Sequence, residues 1–137
     1  MTHPELENLV RTRQLKEEPA AADEIAGLVR SGLARLRDAG NASLSYESRF
    51  DLAYNAAHAL SLATLRWHGY RSDSRYVVFQ CLQHTIDLPG VQWRVLDQAH
   101  RKRNLAEYEG HLEIEEQLVE ALIRVAGVVA ERVEKLG

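Results

Sequence analysis

The stretch from Ser45 to His68, SYESRFDLAYNAAHALSLATLRWH, constrains the fold more than any other. Phe50, Tyr54, Ala57, Leu60 and Leu65 fall on one helical stripe, with Ala53, Ala56, Ala59 and Ala63 interleaved. Small side chains let a neighbouring helix approach closely, so this stretch predicts a buried helix with others packed around it. The rest of the chain supplies those others. Ile25, Leu28, Val29, Leu33 and Leu36 recur at helical steps between about Ala20 and Ala39, and Gly40 suits a left-handed cap. Residues 5–16 predict a short leading helix with Leu6, Leu9 and Val10 as its apolar contacts, and Pro19 restarts the chain.

Asp73 or Ser74 can cap a further helix that reaches about Thr85 and carries Val78, Phe79 and Leu82. The sequence DLPG at 87–90 is a turn whose proline interrupts any continuation. Another helix is expected from about Val91 to Glu109. The last, about Leu112 to Lys135, sets Ile114, Leu118, Ala121, Leu122, Val125, Val128, Val129 and Val133 on one face. With three prolines and eight glycines, most of them at these boundaries, the punctuation is that of an all-α chain. Short connections favour antiparallel neighbours. The expectation is an up-and-down bundle of four main helices plus a short N-terminal helix, one domain over residues 1–137 with its core at about 20–135 and residues 1–19 leading into it.

Several function classes are disfavoured at this level. A formal charge of −3 argues against broad adhesion to nucleic acid, so any RNA contact must be focused. The chain shows no early apolar run like a signal peptide and no long uncharged apolar stretch, which predicts a cytoplasmic protein without membrane contact. The single cysteine, Cys81, lies in an apolar stretch and reads as a core residue. No HxxxH, HExxH or ExxH spacing occurs, so no metal is expected. Glycine-rich phosphate loops and the GxSxG elbow are also missing, and no cofactor is expected.

Polar character concentrates in RKRNLAEYEG, residues 101–110. At about 100° per residue, Asp97, Arg101, Asn104 and Tyr108 share one face, while Arg103 and Glu107 share another. Neither is a hydrophobic seam. The segment is then either a solvated basic run with Arg103 paired to Glu107, or the wall of a polar cleft in which arginine holds a phosphate and asparagine orients it. Histidine adds proton transfer near neutral pH. Of His3, His58, His68, His84, His100 and His111, the two that flank the Arg-Asn pair, His100 and His111, are the acid or base candidates. His58, four residues from Tyr54 on the buried helix, is either a hydrogen-bonded core histidine or a catalytic one.

Two stretches taken together, FDLAYNAAHALSLATLRWHGYR (50–71) and RKRNLAEYEG followed by a helix rich in Leu, Ile and Ala, resemble the HEPN superfamily of small α-helical domains. The likeness covers roughly residues 20–135. It implies a helical bundle that dimerises, with an Arg-polar pair and a following histidine in a cleft between subunits. Catalytic members are metal-independent endoribonucleases of toxin–antitoxin and defence systems, and the implied partner is a minimal nucleotidyltransferase acting as antitoxin. On this resemblance Arg103 takes the arginine position and Asn104 the polar position, while the next histidine, His111, lies beyond the usual spacing and serves only if Gly110 bends the chain back to the cleft. Where the family's histidine is expected this chain carries Tyr108. A tyrosine with a pKa near 10 is a poor base at neutral pH, whereas it can stack on a base or bind phosphate through its hydroxyl. The resemblance therefore implies a domain that binds a nucleotide, an RNA phosphate or a partner chain through Arg103 and Asn104, with Arg101, Tyr108, His100, Tyr54 and His58 as further contacts. A ribonuclease is the alternative, and a purely structural bundle a third reading. Tyr54's helix, with its small residues, and the motif helix are the expected dimer faces.

Overall fold

The computed structural model of the chain describes residues 3–110 and 114–136. In chain order the elements are α1 (Pro4–Arg11), β1 (Lys16–Glu17), α2 (Ala22–Ala39), α3 (Tyr46–Trp67), β2 (Tyr70–Arg71), α4 (Arg75–Gln80), α5 (Leu82–Thr85), α6 (Gly90–Glu109) and α7 (Glu116–Leu136). The fold is an all-α bundle with one two-residue strand pair.

The alanine-rich stretch forms α3, opened by the Ser45 hydroxyl accepting the Ser48 N–H. Phe50, Ala53, Tyr54, Ala56, Ala57, Leu60 and Ala63 are all buried, and α2 and α7 pack along the helix. Gly32 on α2 marks the closest approach. A Cβ there would lie 2.6 Å from the Leu60 side chain and 3.4 Å from the Ala56 carbonyl oxygen. The small-residue face is thus used inside the monomer and is not available to a second copy.

Four boundaries differ from the sequence reading. The leading helix stops at Arg11, because Arg13 turns the chain at φ 64° and delivers Leu15 to a second apolar cluster with Leu6, Leu65, Tyr70, Val77, Val78 and Cys81. Lys16 and Glu17 then pair antiparallel with Arg71 and Tyr70. Gly40 is not a left-handed cap: its φ is −75°, and the last carbonyl of α2 is instead covered by Arg49, whose Nε donates to Ala39 O at 2.8 Å. The expected helix through Thr85 is broken at Cys81 into α4 and α5. Val77, Val78 and Cys81 face the second cluster, while Phe79 and Leu82 reach the main core. The last helix begins at Glu116, after Ile114 and Glu115.

Arg66 ties the leading segment to α3. Its side chain is 1% exposed and donates to the carbonyl oxygens of Glu18 (2.9 Å), Pro19 (2.8 Å) and Tyr70 (3.2 Å), and it pairs with the carboxylates of Glu24 and Glu18. Arg71 pairs with the same two carboxylates from the solvent side. The Arg66 bond, and secondarily that of Arg71, holds the Glu24 carboxyl below its usual pKa against the opposing effect of partial burial. No helix among the described residues is long and apolar enough to cross a membrane.

Candidate functional site

On α6, Leu96 and Ala99 are fully buried. Residues three and four apart share a helix face, so the stripe they begin continues through His100 to Arg103. Arg103 is therefore turned toward α3, where its guanidinium carbon lies 4.9 Å from the centre of the Tyr54 ring. A second guanidinium arrives from another element. Ser74 caps α4 by accepting the Val77 N–H, and the residue after it, Arg75, sits 5.4 Å from the same ring centre. The Asn55 amide oxygen accepts from Arg75 at 3.2 Å and steadies it.

Tyr54 is the support for both cations. Its ring is wholly buried, stacked on Phe50 at 6.2 Å and met edge-on by Phe79 at 5.7 Å. Cations over an aromatic face are held by the ring quadrupole, about 0.5–2 kcal/mol per pair. The Tyr54 hydroxyl lies 2.9 Å from His100 Nδ1, and His100 Nε2 lies 3.2 Å from the Asn104 amide nitrogen. Two proton arrangements satisfy this chain. In one, His100 gives its Nδ1 proton to the tyrosine oxygen and Asn104 donates to Nε2. In the other, the tyrosine hydroxyl donates to Nδ1 and the turned Asn104 amide accepts from Nε2.

The electrostatics follow from burial beside two cations. Burial raises the Tyr54 pKa, opposed by Arg75 and Arg103, so the phenol stays protonated. His58, half-buried and edge-on to Phe79 at 6.1 Å, is pushed down to about 4, mainly by burial and further by Arg75 and Arg103. Burial also lowers His100, with Asp97 opposing and the two arginines adding to the fall. Both imidazoles are then neutral at pH 7. The positive charge of the cluster belongs to the guanidiniums.

The structure thus brings together Arg103, Asn104, His100, Tyr54 and His58. It does not bring in Arg101 or Tyr108: Arg101 is 78% exposed and paired with Asp97 at 3.2 Å, and Tyr108 is 90% exposed near the end of α6. His111 and the side chain of Glu107 lie outside the described residues. Arg75 was not marked by the sequence, nor was its neighbour Tyr76, which contacts His100 and Trp93. Among the described residues no group of three or more His, Cys, Asp or Glu could hold a metal ion. A separate groove of about 580 Å³ lies between α2 and α7, lined by Ile25, Val29, Leu33, Trp67 and Val133, and its mainly apolar wall carries none of this polar chemistry.

What the fold and site define is an all-α bundle with a cationic, aromatic-backed cluster where α3, α4 and α6 meet. Comparison with family models, with curated proteins and with solved structures finds no match.

Proposed function

We propose that the chain is a HEPN-like domain that binds a phosphate-bearing ligand, a nucleotide or an RNA phosphate, at the Tyr54 cluster. Arg103 and Arg75 are the anion-binding groups, and Asn104 and His100 supply neutral hydrogen bonds beside them. One observation carries this reading: two guanidiniums from separate helices converge on one buried ring. Each guanidinium is a planar fork of N–H donors, and two of them beside one ring bring such donors together. A phosphate accepts from such planar donors in pairs, and these charge-assisted bonds are about 1.5–3 kcal/mol each.

The test is thermal stabilisation by a nucleotide panel. A ligand that binds only the folded chain, present at about 100 times its Kd, stabilises by about 2.7 kcal/mol. Arg103→Ala and Arg75→Ala are each expected to remove the shift. Absence of any shift across the panel refutes the reading. The resemblance also brings two partners, a second copy of the chain and a nucleotidyltransferase-type antitoxin; light scattering and affinity capture with such an enzyme test them.

A second reading, a metal-independent ribonuclease, draws on His100. That imidazole is neutral, anchored on Tyr54 and adjacent to Arg103, so it can take the proton of a 2′-hydroxyl while Arg103 stabilises the charge that develops on phosphorus. Cleavage of single-stranded RNA in EDTA that is lost in His100→Ala and Arg103→Ala would support it. Intact RNA after prolonged incubation removes it and leaves the binding reading in place.

A further inference from the structure

Phosphate binding employs the arginines and leaves Tyr76 and Trp93 without a part. Tyr76 follows Arg75 on α4 and is 41% exposed, whereas Phe79 on the same helix is buried. Its ring lies 6.4 Å from that of Trp93, crossed at 71°, and 6.1 Å from that of His100, tilted at 42°. Neither neighbour is parallel to it. Trp93 is itself partly buried against the main core, so it braces Tyr76. The Trp93 indole N–H is buried without a hydrogen-bond partner among the described residues. An aromatic ring held this way beside a cationic pair is the combination with which proteins grip unstacked bases, the π-face taking the base and the cations the backbone.

Resting on the phosphate reading above, we propose that Tyr76, braced by Trp93, is a nucleobase subsite. The base stacks on Tyr76 while its phosphate lies against Arg75 and Arg103. The ligand is then a nucleotide or a single-stranded segment with a free base. Inorganic phosphate and sugar phosphates lack the base, and in a duplex the base faces are already covered by their neighbours.

The test uses the full chain and a fluorescein-labelled six-nucleotide 2′-O-methyl RNA, which cannot be cleaved through its 2′ position, read by polarisation and competed with AMP and with ribose 5-phosphate. Tyr76→Ala is expected to weaken the RNA and AMP by about 5- to 100-fold and to leave ribose 5-phosphate unchanged, while Tyr76→Phe retains binding. A second readout is Trp93 fluorescence in a Trp67→Phe background, expected to be quenched by AMP and not by ribose 5-phosphate. AMP competing as well as the RNA identifies a mononucleotide site; RNA binding that AMP barely displaces identifies a strand site, and both outcomes support the subsite. Equal competition by AMP and ribose 5-phosphate, with Tyr76→Ala binding like the parent, overturns the subsite and spares the phosphate site. If neither RNA nor ribose 5-phosphate binds, the phosphate reading fails and the subsite falls with it.

Discussion

Acidification should unfold this protein partly through His58. The imidazole titrates at about 4 in the folded chain against 6.5 for an unperturbed histidine. Between those values the unfolded chain binds a proton that the folded chain refuses, so stability is lost as pH falls. One such proton gives a slope of about 1.4 kcal/mol per pH unit, amounting to about 2 kcal/mol by pH 5 and about 3 kcal/mol by pH 4. His100 and His68 are also lowered and act in the same direction, whereas the loss of the ionised Glu24 carboxylate adds only below its unfolded value of 4.5. The measurement is therefore a difference. Urea denaturation of the parent and of His58→Leu, at intervals from pH 7.5 to 4.5, isolates the His58 contribution because the other groups are common to both. The variant is expected to lie within about 1.5 kcal/mol of the parent at pH 7.5 and to gain on it by about 2 kcal/mol at pH 5. NMR titration of Arg103→Ala should show both His58 and His100 moving upward, since a cation near each has been removed. Parallel stability curves for parent and His58→Leu would refute the argument, because they would mean that this imidazole protonates as easily in the fold as in water.

Two further outcomes test the frame around the site. Arg66→Ala removes bonds to three backbone carbonyls and is expected to cost about 3 kcal/mol, a fall in Tm of about 10 °C, while Arg71→Ala, a quarter exposed and bonded to partly solvated carboxylates, costs under about 1 kcal/mol; equal losses in calorimetry would contradict the division. Gly32→Ala should destabilise by about 1–3 kcal/mol in chemical denaturation even though alanine is the better helix former by about 1 kcal/mol, because its methyl enters the Leu60 side chain, and a stabilised variant would mean that α2 can shift freely.

The helices were legible where one repeating pattern determined them. The alanine ladder of α3, the stripe of α7 and the stop at Gly110, which adopts φ 77°, are all local signals. The strand pair was not legible, because two residues carry no period and Lys16–Glu17 finds its partners, Arg71 and Tyr70, far along the chain. Breaking the helix at Cys81 likewise depends on two clusters competing for consecutive side chains. At the site, Arg103, Asn104 and His100 stood out by type, and Leu96 and Ala99 run on into the face that carries Arg103. Tracing the helical wheel from the apolar residues would have turned it inward. Arg75 had no such signal. An arginine beside a capping serine is ordinary, and it gains its part only because α4 packs between α3 and α6.

Tyr54 gives the cluster a particular evolutionary stiffness. The ring that meets both guanidiniums is also wedged against Phe50 and Phe79, so on the proposed reading recognition and folding share a single side chain. For the proposed ligand, variation in preference has to proceed through the rim, at Tyr76 or Asn104, since any change at the centre is screened first by whether the chain folds at all.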